Sequence, residues 1–215
     1  MTYQEALTKA LVNQDKAEAY RLTRAFLNED AGNLGRFYET IIPGILNAID
    51  CAEGDYECVF KEHRMSAMIR ALVEMSHEYV VKQTKCLKPK RTVLIACMKD
   101  ETHELGAVIG AHMFELNGFD TVFTGANTPL ATIEAGMRAV HCDYLVLSVT
   151  NAYNLLVMNR AIRQLKNAHP DVKIFGAGRG VVKNIDRLEL DGIMQSQADI
   201  ERLIGEEGLT CSPSA

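Results

Sequence analysis

The residues best suited to chemistry lie in the segment Glu101-Thr-His103-Glu-Leu-Gly106, which follows an apolar run at 92–97. A carboxylate two residues before an imidazole can accept one ring N–H and leave the other nitrogen oriented toward a metal. Gly106 lets the backbone or a ligand approach closely where the next helix begins. A loop histidine is also common on protein surfaces. What His103 does therefore depends on the elements that position it.

The C-terminal part of the chain alternates between strand and helix patterns. The run at 92–97 is apolar and β-branched, which is typical of a buried strand. Further strands are predicted at 119–124, 143–149, 172–176 and 192–194, with helices at 104–117, 129–140, 153–168 and 197–205. This alternation predicts an α/β domain over residues 91–215, a doubly wound parallel sheet of Rossmann-like or flavodoxin-like type. Such sheets bind ligands at the carboxyl ends of their strands, where the histidine loop lies.

The N-terminal part of the chain has a different pattern. Apolar residues recur at helical spacing through residues 3–83, which predicts four or five helices packed as a small bundle. We assign this bundle to residues 1–85. The segment 82–91 carries charge, a proline and no apolar face, and we predict that it is a linker without a function of its own.

Composition and charge exclude several classes of function. The 215-residue chain has a formal net charge of -5, whereas nucleic-acid-binding surfaces are usually basic, so we expect no direct nucleic-acid binding. No apolar stretch approaches the ~20 residues of a membrane span. The N-terminus lacks the pattern of a secretory signal, so we expect a cytoplasmic protein away from membranes. The six cysteines contain no CxxC pair, and we expect all six to be reduced.

Each predicted strand ends in a loop of small or polar residues, and two of these loops contribute hydroxyl side chains and a glycine-rich turn. With the histidine loop, this order resembles the cobalamin-binding domain shared by methionine synthase, corrinoid methyl carriers, mutases and cobalamin-based light sensors. The resemblance implies that the chain binds cobalamin with its nucleotide base away from the cobalt, and that His103 is the lower axial ligand. It also implies cofactor-binding roles for six further residues, which are Glu101, Gly106, Ser148, Thr150, Gly176 and Gly178.

The chain departs at three places from the family's pattern of Asp-x-His-x-x-Gly, Ser-x-Leu and adjacent glycines. Glu101 replaces the Asp, Thr150 replaces the Leu, and the segment Gly176-Ala-Gly178 replaces the two adjacent glycines. Glu keeps the carboxylate with one more methylene, so the partnership with His103 should survive. Asn154 stands near the position of a hydroxyl that completes the relay in methionine synthase-like members.

The helical bundle extends the resemblance over nearly the whole chain, since methionine synthase-like modules place such a bundle over the upper face of the corrin. Within the longest predicted helix, Glu62-His63 and Met65 resemble the capping helix of light-sensing regulators that use adenosylcobalamin. In those regulators the Glu and the His face the adenosyl group. The alternative is that these residues are ordinary helix-surface and core residues. The regulators also carry a Trp over the ligand, and this chain has no Trp.

Two functions follow from these patterns. The favoured one is a stand-alone cobalamin-dependent sensor, including a light-responsive one, that acts on a regulatory partner protein. The alternative is a corrinoid protein that carries methyl groups between methyltransferases. Either would use cobalamin, as adenosylcobalamin or methylcobalamin, together with its cobalt. Neither requires a catalytic residue in this chain, and none is assigned. The oligomeric state, monomer or homo-oligomer, is left open by the sequence.

Overall fold

The structure, a computed structural model, describes residues 1–213 of the 215. The chain divides into two compact units, with the boundary between Gln83 and Thr84. The first unit is helical and the second contains the parallel sheet. Among the described residues, no helix is both long and apolar enough to cross a membrane.

The helical unit contains five α-helices and one π-helical turn. They are α1 (Tyr3–Val12), α2 (Lys16–Glu29), α3 (Asn33–Arg36), the π turn (Phe37–Ile41), α4 (Ile42–Asn47) and α5 (Tyr56–Gln83). Thr2 begins α1 with a capping box, in which its side chain and that of Glu5 satisfy each other's backbone N–H groups. Pro43 is the second residue of α4 and follows the π turn directly, so it lies within a continuous helical run and lacks one backbone donor there. The predicted helical bundle is confirmed.

Helix α5 carries the residues predicted to cap the cofactor. Residues 56–64 are exposed or half-buried, and Met65 is the first buried residue of the helix. Cys51, which precedes α5, forms a disulfide with Cys58 in the first turn of that helix. The prediction that all six cysteines are reduced is therefore wrong for this pair. The turn through Gly54, which has φ +84°, reverses the chain and brings the two Cα atoms within 5.6 Å.

The second unit contains a five-stranded parallel sheet flanked by helices. Its strands are β2 (Thr92–Cys97), β3 (Asp120–Phe123), β4 (Tyr144–Ser148), β5 (Lys173–Ala177) and β6 (Gly192–Ile193). Its α-helices are α6 (Leu105–Leu116), α7 (Leu130–Val140), α8 (Leu155–Ala168), α9 (Arg179–Val182) and α10 (Gln197–Glu206). The spatial order β3-β2-β4-β5-β6, with every pair parallel, is the flavodoxin-like arrangement. The predicted doubly wound α/β fold is confirmed.

The core of the sheet unit explains why these residues form strands. All residues of β4 are buried, as are all but the first of β2, so both strands read as continuous apolar runs. Leu94 and Leu147 belong to one apolar cluster with Ile133 of α7 and Ile162 of α8. The strand order reverses between β2 and β4: β3 is added on the far side of β2, and β5 and β6 are added on the far side of β4. The crevice beyond the carboxyl ends of β2 and β4 is therefore the expected ligand site.

A second, two-stranded sheet lies in a region where the sequence predicts no element. Strand β1 (Lys85–Lys88) pairs antiparallel with β7 (Thr210–Pro213), with Leu87 opposite Cys211. The segment 82–91 therefore contains a strand as well as connecting residues. Only Leu87 of β1 is buried, which explains why this strand lacks an apolar pattern.

Candidate functional site

His103 and Glu101 form a hydrogen-bonded pair in the loop between β2 and α6. Nδ1 of His103 lies 2.6 Å from Oε1 of Glu101, and the same oxygen accepts the backbone N–H of His103 at 2.9 Å. The other oxygen, Oε2, accepts the backbone N–H groups of Thr150 at 2.8 Å and Asn151 at 3.0 Å. Because β2 and β4 are parallel neighbours, the loops that follow them meet at one edge of the sheet. Glu101 joins these two loops.

Burial and hydrogen bonding act on the Glu101 carboxylate in opposite directions. Its side chain is only 1% exposed, and burial raises the pKa of a carboxyl because it disfavours the charged form. The hydrogen bonds from Asn151, His103 and Thr150 outweigh this effect and hold the pKa of Glu101 below its usual value. The carboxylate is therefore ionised at neutral pH. An ionised acceptor at Oε1 keeps the proton of the neutral imidazole on Nδ1.

The imidazole of His103 is open on its other side. Its side chain is 64% exposed, and within residues 1–213 Nε2 has no hydrogen-bond partner. Gly106 adjoins free space, since a Cβ atom there would meet no non-neighbouring atom within 4 Å. The hydroxyls of Ser148, which is buried, and of Thr150 make no hydrogen bond to another residue in the described part of the chain. An exposed imidazole nitrogen, free space and two hydroxyls without a partner in residues 1–213 are thus present at the ends of β2 and β4.

The glycines predicted to bind cofactor have a packing role in the structure. A Cβ atom at Gly176 would lie 2.5 Å from Cγ1 of Val181. Gly178 has φ +91°, and a Cβ atom there would lie 2.5 Å from the backbone oxygen of Val149. Gly178 therefore lets the loop after β5 pack against Val149 after β4, whereas Gly176 lets Val181 of α9 pack against β5. Their contact with a cofactor stays a prediction.

Asn154, the approximate counterpart of the relay hydroxyl, makes no hydrogen bond to Glu101 within residues 1–213. Its side-chain N–H reaches the backbone oxygen of Asp100 at 3.5 Å, the limit for a hydrogen bond. The backbone N–H groups of Thr150 and Asn151 are the donors to Oε2 instead. Sequence patterns do not reveal Asn151, because a backbone donor requires no particular side chain.

Asn127 is a second residue that the sequence patterns leave without a role. Its side-chain oxygen accepts the backbone N–H of Asp100 at 2.8 Å, and its own backbone N–H donates to the backbone oxygen of Glu101 at 2.9 Å. It lies in the polar loop 124–130. The available signal is its residue type, since Asn adopts turn and left-handed conformations more readily than most residues.

Glu62 and His63 lie side by side on α5 in the helical unit. Oε1 of Glu62 accepts the hydroxyl of Ser66 at 2.7 Å, and Oε2 lies 3.6 Å from Nε2 of His63. The His63 side chain is 74% exposed, whereas Met65 is buried. The imidazole is accessible to a ligand, and the role of these three residues above the corrin stays a prediction.

Comparison with known proteins identifies the sheet unit. The family model described as "B12 binding domain" matches residues 91–203, which is more than half of the chain and includes every strand of the parallel sheet. The chain belongs to the B12-binding domain family. The predicted cobalamin-binding domain is thereby confirmed. No protein of curated function matches this B12-binding chain in sequence.

Solved structures similar to this chain include a corrinoid protein and a cobalamin-binding protein. The monomethylamine corrinoid protein of Methanosarcina barkeri is 18% identical, with a TM-score of 0.71 over 94% of this chain and 96% of that one. A cobalamin-binding protein from Desulfitobacterium hafniense DCB-2 is 16% identical, with a TM-score of 0.51 over 94% and 97%. The methanol:cobalamin methyltransferase complex of M. barkeri is 14% identical, with a TM-score of 0.49 over 95% and 79%. The first two likenesses support the fold assigned above.

Proposed function

We propose that this chain is a corrinoid protein that holds cobalamin with His103 as the lower axial ligand and carries a methyl group between methyltransferases. The Glu101–His103 pair is the observation on which the proposal rests. A buried carboxylate lies 2.6 Å from Nδ1, and the imidazole that it orients is 64% exposed. A neutral imidazole held in this way is a good ligand for a late first-row metal such as cobalt.

The residues around the pair fit this cofactor. Gly106 leaves free space beside the histidine loop, and the hydroxyls of Ser148 and Thr150 are available to polar groups of a ligand. When bound, cobalamin supplies a cobalt centre that can accept and release a methyl group. The chain's own contribution is to orient one imidazole nitrogen outward, to keep the proton on the other, and to satisfy buried polar groups of the ligand.

Two observations favour a methyl carrier. The monomethylamine corrinoid protein of M. barkeri aligns with 94% of this chain, so the likeness extends over both units and not only over the sheet. The chain also has no Trp to place over an upper ligand, as the light-sensing regulators do. We infer that its partners are methyltransferases and that it has no catalytic activity by itself.

One observation favours the sensor as a second candidate. The imidazole of His63 is 74% exposed beside Glu62 on α5, so both side chains are accessible to an upper ligand. A sensor of this kind would bind adenosylcobalamin in preference to methylcobalamin, because only the adenosyl group offers hydrogen-bonding partners to this pair.

Absorption spectra test the axial ligand. His103→Ala should change the visible spectrum of bound methylcobalamin and weaken its binding by about tenfold or more, since a metal–nitrogen bond is lost. Thr102→Ala, an exposed neighbour in the same loop, is the matched control. A spectrum that is the same in wild type and His103→Ala would refute cobalt ligation by His103.

Cobalamin binding by the wild-type protein distinguishes the two functions. The protein is mixed in the dark with each cobalamin, and its absorption spectrum and oligomeric state are measured before and after illumination. A carrier should bind methylcobalamin at least as tightly as adenosylcobalamin and keep its oligomeric state on illumination. Adenosyl-selective binding with a light-driven change of spectrum and oligomeric state would establish the sensor instead.

A further inference from the structure

Two hydrogen bonds of Asn127 join the loops after β2 and β3, beside a third from the N–H of Ala126 to Oε2 of Glu104 at 3.1 Å. The side-chain oxygen of Asn127 accepts the N–H of Asp100 at 2.8 Å. Its backbone N–H donates to the carbonyl oxygen of Glu101 at 2.9 Å. Asn127 therefore holds the main chain on both sides of the Asp100–Glu101 peptide unit. The carboxylate of Glu101 is held separately, by N–H groups from the loop after β4.

Both residues of this contact have an unusual backbone conformation. Asp100 has φ 67° and Asn127 has φ 52°, in the left-handed region that non-glycine residues seldom adopt. Such conformations persist where the surrounding structure holds them, and they are concentrated at functional sites. Here the hydrogen bond between the two residues holds the conformation of Asp100, directly before the residue whose carboxylate orients His103.

The loop that carries Asn127 is itself attached to the end of the sheet. The N–H of Thr128 donates to the carbonyl oxygen of Cys97 at 2.9 Å, and the hydroxyls of Thr124 and Thr128 lie 3.1 Å apart. Cys97 is the last residue of β2 and is fully buried. The side-chain oxygen of Asn127 therefore lies in a segment that is hydrogen-bonded to the buried end of β2.

We propose that Asn127 is a positioning residue for His103, which sets the fraction of bound cobalamin that is ligated by the imidazole. The proposal rests on the proposed ligation of cobalt by His103. Three properties are needed at this position: a left-handed backbone, a backbone N–H and a side-chain acceptor. Asn supplies all three, Asp supplies all three with an added charge, and Gly supplies only the first two.

The variants follow from these three properties. Asn127→Gly keeps the backbone conformation and removes the acceptor, whereas Asn127→Asp keeps the acceptor and should restore the wild-type behaviour. Asn154→Ala is the matched control, because Asn154 also faces Asp100 but only at 3.5 Å. Since Gly is tolerated at φ 52°, Asn127→Gly should fold, and Asn127→Asp provides an independent folded variant.

Two measurements test the proposal. Amide hydrogen exchange of the cobalamin-free protein should show faster exchange at Asp100 in Asn127→Gly, by about fivefold, the equivalent of one lost hydrogen bond. Titration with methylcobalamin should show the histidine-ligated fraction, read from the absorption spectrum, reduced in Asn127→Gly by a similar factor. Asn127→Asp and Asn154→Ala should stay within about twofold of wild type in both measurements.

The outcomes separate this proposal from the function on which it rests. If His103→Ala leaves the spectrum unchanged, both proposals are overturned. If His103→Ala changes the spectrum but Asn127→Gly does not, only the positioning role is overturned, even when the exchange at Asp100 rises. An equal loss of ligation in Asn154→Ala would also overturn it, because the effect would then be a general response of the loop.

Discussion

Replacement of Glu101 by Gln tests the physical basis of the site in the protein without its cofactor. The side chain is 1% exposed and accepts four hydrogen bonds, two at each carboxylate oxygen. Gln has nearly the same shape but only one acceptor oxygen. If that oxygen stays toward His103, the NH2 group faces the N–H groups of Thr150 and Asn151, and two buried donors lose their acceptor.

The expected loss of stability follows from these two hydrogen bonds. A hydrogen bond to a charged group contributes about 1.5–3 kcal/mol, so losing both should lower the free energy of unfolding by about 3 kcal/mol or more. Urea denaturation followed by circular dichroism measures this difference. Glu206→Gln, which changes an exposed carboxylate in the same unit, should stay within about 0.5 kcal/mol of wild type.

The pH dependence of this difference provides a second check. The pKa of Glu101 is lowered in the folded protein from its ordinary value of 4.5. A lowered pKa means that its contribution to stability is fully present above pH 4.5 and is lost as the pH falls through the folded-state pKa. The gap between wild type and Glu101→Gln should therefore be largest near pH 7 and should narrow below pH 4.5. A gap that is absent at pH 7, or that stays constant down to pH 3, would refute the account of the buried carboxylate.

Three further predictions concern other parts of the chain. Replacing Cys51 and Cys58 by Ser should lower the free energy of unfolding by about 2.5 kcal/mol, as expected for a short closed loop, and equal urea midpoints with and without a reductant would contradict this. Gly178→Ala should cost about 3 kcal/mol, because a φ of +91° is combined with a contact of 2.5 Å to a backbone oxygen. Gly125→Ala, with the same φ and open space, should cost only about 1 kcal/mol, and equal costs by urea denaturation would exclude the contact as the cause. Gly106→Leu should leave the stability of the cobalamin-free protein within about 0.5 kcal/mol and weaken methylcobalamin binding, and unchanged binding would place the cofactor elsewhere.

Local patterns were sufficient to predict the parallel sheet. The run at 92–97 coincides with β2, and the strands predicted at 119–124, 143–149 and 172–176 each overlap an observed strand to within one residue at either end. All of β4 and all but the first residue of β2 are buried, so nearly every residue in these two strands is selected for apolar character, whereas β3 and β5 each begin with an exposed residue. The short strands β1 and β7 were not predicted, because their pairing joins residues over 120 positions apart and buries little apolar surface.

A carboxylate and an imidazole together after a buried strand can be recognised from residue types alone, since their spacing is local. The groups that hold them in place depend on the tertiary structure. The donors to Oε2 of Glu101 are backbone N–H groups, 49 and 50 residues further along the chain, and the second anchor of the loop is Asn127. Backbone donors leave no trace in residue type, and their positions depend on which strands become neighbours. The disulfide between Cys51 and Cys58 likewise depended on a turn that brings the two residues together.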